Sequence, residues 1–314
     1  MKSKSRPNDL CPCGSGAKFK FCCGPKGQEI SLEQLFQAAV EHHQAGRLSN
    51  AEQMYRQILV EQPKHADALY RLSDIAFQAG RHVVAAELIR AAVSVRPDWP
   101  EIHNSLGIVL CFLGKNAEAA EAFRQTVSLK PDFVSAYCNL GTALKSEGRL
   151  DEAIAAYRQA IARQPNYPEA YNNLGVTLSD RGDLDSAIEA FRQAIALQAN
   201  FAQAHNNLGL ALLEKRQLDE AEAACRTSLR LQENPLTYIN LVNALLAKGQ
   251  FEEALTVCRQ ALVHAPNSPE VHSTLNEVLK RWLTARGRPP QGIRGEANYR
   301  YTIESAAARG ARTS

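Results

Sequence analysis

No stretch of the 314-residue sequence approaches the roughly 20 consecutive apolar residues that a helix needs to cross a bilayer. The N-terminus is basic, but a cysteine-rich segment follows it where a secretory leader would carry its apolar core. No signal peptide is read there. A glycine-rich phosphate loop, a nucleophile elbow and a His-Glu metal helix are all missing. The eight cysteines do not form the dense framework of a small secreted protein. Four of them lie between residues 11 and 23, and four stand singly at 111, 138, 225 and 258. These absences weigh against a membrane-spanning protein, a disulfide-stapled one and an enzyme. A reducing cytoplasm is the expected location.

A strong charge of one sign is also lacking, although the net +3 hides an uneven distribution. Residues 1–30 carry six Lys/Arg against two acids, and residues 280–314 carry eight against two. The middle is left with 22 against 29, a net −7. An acidic body argues against a nucleic-acid groove along it. The basic ends allow contact with RNA, anionic lipid or an acidic partner, or are simply solvated.

What the sequence does have is a period. Gly46, Gly80, Gly114, Gly148 and Gly182 are each 34 residues apart, and so are Pro63, Pro97, Pro131 and Pro165. Between them run Tyr137, Leu140, Gly141 and Leu144, then Tyr171, Leu174, Gly175 and Leu178. A second pattern is Ala153, Tyr157 and Ala160, then Ala187, Phe191 and Ala194. Spacings of three and four make each unit two amphipathic helices. The turn glycine supplies the left-handed residue that ends the first helix. Asp151, Asp185 and Asp219 are expected to cap the second helix. Gly141 and Gly175, inside a helix, predict a close approach by a neighbour, with Ala160 and Ala194 as its small counterparts. Proline closes the unit.

These residues resemble the tetratricopeptide repeat family. The resemblance implies an all-α, right-handed α-solenoid of seven units over 32–65, 66–99, 100–133, 134–167, 168–201, 202–234 and 235–268. The sixth unit is one residue short, with Arg216 in place of the turn glycine. Residues 269–285 read as a C-terminal capping helix with Val271, Leu275, Val278, Leu279 and Leu283 on its apolar side, as such arrays require. Residues 286–314 read as a basic, disordered tail.

In this family the first helices line a groove. Their residues in units four to six include Ser135, Cys138, Thr142, Lys145, Glu169, Val176, Asp180, Gln203, Leu210 and Glu214. One position repeats as Asn139, Asn173, Asn207 and Asn240, flanked by Asn104, Asn172 and Asn206. A carboxamide both donates and accepts, so it can pair with a peptide backbone of any sequence. Packed helices lie about 8–10 Å apart, and an extended chain covers about 3.3–3.6 Å per residue. One rung would thus meet about every third ligand residue. Two readings stand: a ladder for extended peptide, or amides that satisfy local helix contacts. The Asn-Asn-Leu-Gly runs look similar to the repeat arm of the O-linked N-acetylglucosamine transferases. That likeness implies, as an alternative role, a substrate-presenting arm or partner of a glycosyltransferase or sulfotransferase.

Residues 11–24 read CPCGSGAKFKFCCG. Cys11, Cys13, Cys22 and Cys23 are four thiolates, the usual closed set for structural zinc, with glycines permitting the sharp turn. So short a segment cannot bury a core, and metal binding would supply its folding energy. The pattern resembles the SEC-C motif, the zinc tail of the SecA translocase motor. The resemblance implies one structural Zn2+ within residues 1–28 and docking to an acidic protein partner through Lys18, Phe19, Lys20 and Phe21. A closed set leaves no open position for catalysis. Cys225 and Cys258 occupy the slot of Phe123, Tyr157 and Phe191 and are expected to be buried packing residues. His103, His205 and His272 stand where other units carry Tyr, and are expected to be structural. The sequence thus reads as a non-enzymatic protein-binding scaffold with two devices, a polar groove and a zinc knuckle.

Overall fold

The structure is a computed structural model and describes residues 31–286. The four zinc-ligand cysteines, the docking residues Lys18 to Phe21 and the basic tail beyond residue 286 lie outside the described residues. Within them are fifteen α-helices and no strand. The first helices are α1 (Leu32–Gln44), α3 (Ala66–Gln78), α5 (Pro100–Phe112), α7 (Val134–Ser146), α9 (Pro168–Asp180), α11 (Ala202–Glu214) and α13 (Pro235–Ala247). Each is followed by its second helix: α2 (Leu48–Glu61), α4 (His82–Val95), α6 (Asn116–Leu129), α8 (Leu150–Arg163), α10 (Leu184–Leu197), α12 (Leu218–Leu231) and α14 (Phe251–His264). A last helix, α15, spans Pro269–Arg286. Contacts group the chain into two units, Met1–Ala156 and Tyr157–Ser314, divided within α8.

The turn between paired helices follows from one backbone conformation. Gly46, Gly80, Gly114, Gly148, Gly182 and Gly249 all have φ between 71° and 89°. In the fifth pair the Gly182 N–H donates to the Ser179 carbonyl at 2.8 Å and Asp183 N–H to Leu178 at 2.9 Å. These bonds satisfy carbonyls that the end of α9 would otherwise leave open. The sixth turn is the same turn without the glycine. Arg216 sits at φ 62°, its N–H bonded to the Leu213 carbonyl and that of Gln217 to Leu212.

The capping aspartates act differently from expectation. The second helices begin at Leu150, Leu184 and Leu218, so Asp151, Asp185 and Asp219 fall inside the first turn. The cap of α10 is Asp183, whose side chain accepts from Ser186 N–H. An acid one turn in favours the helix through its dipole, typically by about 0.3–1 kcal/mol, without a capping bond.

The glycines inside first helices mark a close approach, and the neighbour is an aromatic ring. A Cβ on Gly107 would lie 2.6 Å from Phe123 Cε1, and one on Gly175 would lie 2.6 Å from Phe191 Cε1. Both rings are fully buried. In the sixth pair Cys225 takes the ring's place, with Sγ 2.6 Å from a Cβ on Gly209. Ala160 and Ala194 are buried too, but the ring is what fills the space over Gly175.

In the first unit one core cluster joins Leu35, Met54, Tyr55, Ile58 and Leu72, and a second joins Leu69, Ile89, Ile102 and Val109. In the second unit Leu241, Leu245 and Cys258 pack with Val271, Leu275, Val278 and Leu279 of α15. Trp282 is buried on the same helix, a residue absent from the expected apolar side. The second helices are tied by recurring ion pairs about 28 residues apart: Arg90–Glu118 at 2.6 Å, Arg124–Glu152 at 3.2 Å and Arg192–Glu220 at 2.8 Å, then Arg226–Glu253. All are solvated, so each contributes at most about 1 kcal/mol.

Candidate binding surface of the first helices

The asparagines of the first helices bond to one another across repeats. In the second unit, Asn207 Nδ2 donates to Asn172 Oδ1 at 2.9 Å, and Asn240 Nδ2 to Asn206 Oδ1 at 3.0 Å. In the first unit, Asn139 Nδ2 donates to Asn104 Oδ1 at 3.2 Å. Tyr70 and Ser105 hydroxyls meet at 3.1 Å in the same positions one repeat earlier. The rule is simple: the ladder residue of one first helix reaches the neighbouring position of the previous one. Asn172 is 2% exposed, so it belongs to the interior and offers no surface to a ligand. Asn104, Asn139, Asn173, Asn206, Asn207 and Asn240 are half-buried. A carboxamide carries two N–H donors and an oxygen with two acceptor positions. The staples therefore use only part of the capacity of Asn139, Asn207 and Asn240.

Between α9 and α11 the surface dips into a pocket lined by Val176, Ser179, Asp180, Phe191, Asn207, Leu210, Ala211 and Glu214. Its floor is apolar and its rim carries two carboxylates. Ser179 Oγ is buried there with no hydrogen-bond partner. Ser179 was not among the expected groove residues, yet it stands 34 residues after Lys145, which was. The period alone would have found it.

The corresponding surface of the first unit is different. Phe77 and Phe112 rings meet edge-on at 4.9 Å, and His82 lies against both. Phe112 remains 64% exposed. Deeper in, burial raises the Asp74 carboxyl to about 6, a rise that the Arg71 cation partly offsets. Burial also lifts Tyr55 to about 12 and lowers His43, whose Nδ1 and the Tyr55 hydroxyl have no hydrogen-bond partner. The sequence carried no pattern that singled out this cluster, because it belongs to the least regular repeats.

Chemistry beyond binding finds no support among the described residues. Burial pushes the Cys225 and Cys258 thiols up to about 12 and raises Cys111, the opposite of an activated nucleophile. Three histidines bond to the carbonyl six residues earlier: His103 to Pro97 at 2.8 Å, His205 to Ala199 at 3.0 Å and His272 to Pro266 at 2.8 Å. A carbonyl only accepts, so Nε2 carries the proton and each ring pins the loop between repeats. Among the described residues no group of three or more His, Cys, Asp and Glu is placed to hold a metal. No described helix is long and apolar enough to cross a membrane.

Paired helices, left-handed turns and an amide-lined face define a helical repeat scaffold for protein interaction. The model of the Cilia and flagella-associated protein 70 C-terminal domain matches residues 101–286, more than half of the chain, and a tetratricopeptide repeat model matches 36–101. The chain therefore belongs to that family of tetratricopeptide repeat domains. The SEC-C motif model matches residues 8–25, which include all four N-terminal cysteines. No curated protein matches the chain. Similar solved structures include YrrB, described as a TPR protein with an unusual peptide-binding site. It is 22% identical, with TM-score 0.52, covering 56% of this chain and 90% of that one. The PilF protein of Pseudomonas aeruginosa is 20% identical, with TM-score 0.57, covering 68% and 97%. The Cut9-Hcn1 hetero-tetramer is 18% identical, with TM-score 0.59, covering 83% of this chain and 51% of that one. At such identities these structures speak to the fold alone. None of these matches carries the likeness to O-linked N-acetylglucosamine transferase arms, and no matched model is a catalytic family.

Proposed function

We propose that this protein is a non-enzymatic scaffold that holds extended peptide segments on the face of its first helices, with a structural zinc knuckle as a second docking site. The observation that carries the first part is the unspent hydrogen-bonding capacity of Asn139, Asn207 and Asn240, each half-buried on its own first helix at the repeating position. A backbone laid along that face has donors and acceptors at every residue and needs no particular sequence to use them. The peptide-binding site described for YrrB supports the same reading by fold analogy. The staples also change how the face is tested. Removing ladder asparagines would loosen the stacking of helices, so loss of binding in such variants has two causes. Leu210→Arg is the cleaner variant, because Leu210 is 40% exposed and takes no part in a staple.

The test pans the full chain against a random library of peptides of about ten residues, enough when extended to reach over three helices. Enriched peptides should bind in solution, and Leu210→Arg should weaken them without altering the circular dichroism spectrum. Enrichment no better than on bare support overturns the reading. For the knuckle, Cys11, Cys13, Cys22 and Cys23 supply the four thiolates a closed tetrahedral zinc site takes. When bound, the ion holds the segment folded, and Lys18, Phe19, Lys20 and Phe21 between the ligand pairs are left to meet an acidic partner. Metal analysis should return one zinc per chain, lost on Cys22→Ser with Cys23→Ser. A metal-free wild type overturns this part.

A further inference from the structure

The pocket between α9 and α11 has a composition that a backbone-binding face does not require. Val176, Leu210, Ala211 and the Phe191 ring make it apolar, while Asp180 and Glu214 place two carboxylates at its edge. Glu214 forms no ion pair with any described residue. Ser179 Oγ, buried at the pocket without a partner, is an acceptor and donor with nothing to satisfy it. Such a group costs about 1–3 kcal/mol while it stays unsatisfied. The first helices α9, α11 and α13 add no positive charge, and Arg192 of α10 pairs with Glu220. α9 and α11 contain Glu169, Asp180 and Glu214 but no Lys or Arg, and α13 contains no charged residue. Of the cations just past the helix ends, Arg181 pairs with Asp183 and Lys215 with Asp185, while Arg216 follows Glu214 by two residues and does not line the pocket.

We infer that this pocket selects a lysine or arginine side chain in the bound segment. The inference rests on the peptide reading above and adds its specificity. Long basic side chains bury a hydrocarbon stem along apolar surface while the charged head finds a partner. Here Val176 and Leu210 take the stem, Glu214 takes the charge, and Ser179 Oγ accepts a hydrogen bond from the head. The rival occupants fit less well. An aliphatic side chain covers the floor but leaves Ser179 unsatisfied and strips water from the Glu214 carboxylate without pairing it. An acidic side chain meets like charge.

The experiment uses the full chain and the same random peptide library, panned in parallel on wild type and on Glu214→Lys. Glu214 is the exposed last residue of α11, where a lysine suits the helix C-terminus, so the variant should fold. Wild type should enrich peptides sharing a Lys or Arg at one register. Replacing that residue by uncharged norleucine should raise Kd by about tenfold, the ratio for about 1.4 kcal/mol. Glu214→Lys should shift the preferred residue at that register to Asp or Glu. If peptides are enriched without a basic position, or the norleucine peptide binds within about twofold, the pocket inference falls while peptide binding stands. If nothing is enriched on wild type, both fall together.

Discussion

Arg216 offers a direct measure of what the turn residue contributes. Six turns place glycine in the left-handed region, and the seventh places Arg216 there at φ 62°. A Cβ built on any of those six glycines meets nothing within 4 Å, so space is not the constraint and only backbone conformation is. An L-residue in that conformation costs about 1–2 kcal/mol. Glycine removes this cost but loses about 0.5–1 kcal/mol through its freer unfolded chain. Arg216→Gly should therefore stabilise the protein by about 0.5–1 kcal/mol. Arg216→Ala is the control: it removes the exposed side chain and keeps the strain, so it should change stability by less than about 0.5 kcal/mol. Gly182→Ala should lose about 1 kcal/mol by the same reasoning. Urea unfolding followed by circular dichroism reads all three, with midpoints moving by a few tenths molar for a slope of about 2–3 kcal/mol/M. A destabilised Arg216→Gly, or a Gly182→Ala indistinguishable from wild type, would refute the claim that φ alone decides the residue here.

The amide staples make a second prediction: Asn207→Ala leaves the buried Asn172 oxygen without its donor and should cost about 1–3 kcal/mol, whereas adding Asn172→Ala should cost less than the sum of the single changes. A purely additive cycle in urea unfolding would show that the bond contributes nothing. The Asp74 carboxyl, raised to about 6 by burial, holds its proton more tightly folded than unfolded. Stability should therefore fall as pH rises from about 4 through about 6, by about 1–2 kcal/mol once solvent screening of the half-buried group is discounted. Asp74→Asn should flatten that segment, and an unchanged profile would count against the buried acid. Residue-resolved alkylation by iodoacetamide at pH 8 should leave Cys225 and Cys258 unmodified until the chain unfolds. Modification of either in the native protein would contradict their burial.

Most of the fold was legible because its determinants are local. A glycine every 34 residues specifies a left-handed turn, and spacings of three and four specify which face of each helix is covered. The sequence also pointed to Cys225 and Cys258 as packing residues, since they fall in the register of Phe123 and Phe191. What it did not show were contacts set by how helices stack. The second helices start two residues earlier than the aspartates suggested, because the turn closes at the residue after glycine and leaves no further loop. The ring over Gly175 comes from Phe191, sixteen positions away, and no local spacing distinguishes it from Ala194. Asn172 and Asn173 are neighbours in sequence with equal chemistry, yet one is interior and the other lies at the surface. Only the packing of the next first helix separates them, because Asn207 reaches back to Asn172.

That separation bears on where specificity can reside. The ladder amides recur from repeat to repeat, so whatever they bind they bind alike, and part of their capacity is already spent holding the helices in register. The positions three and six residues beyond each ladder residue do not recur in kind. They read Thr142 and Lys145, then Val176 and Ser179, then Leu210 and Leu213. In the second unit this variation produces one pocket with an apolar floor and carboxylates at its edge, while the first unit presents aromatic rings and a buried acid instead. A segment held by uniform amides would slide between registers at little cost. A single side chain that fits only one pocket removes that freedom, because shifting one repeat onward exchanges Ser179 for Leu213 and Glu214 for Ala247, neither of which can pair with it. The uniform positions thus supply grip and the variable ones supply register, which is why the charge reversal at Glu214 should change what is selected and not merely how tightly it is held.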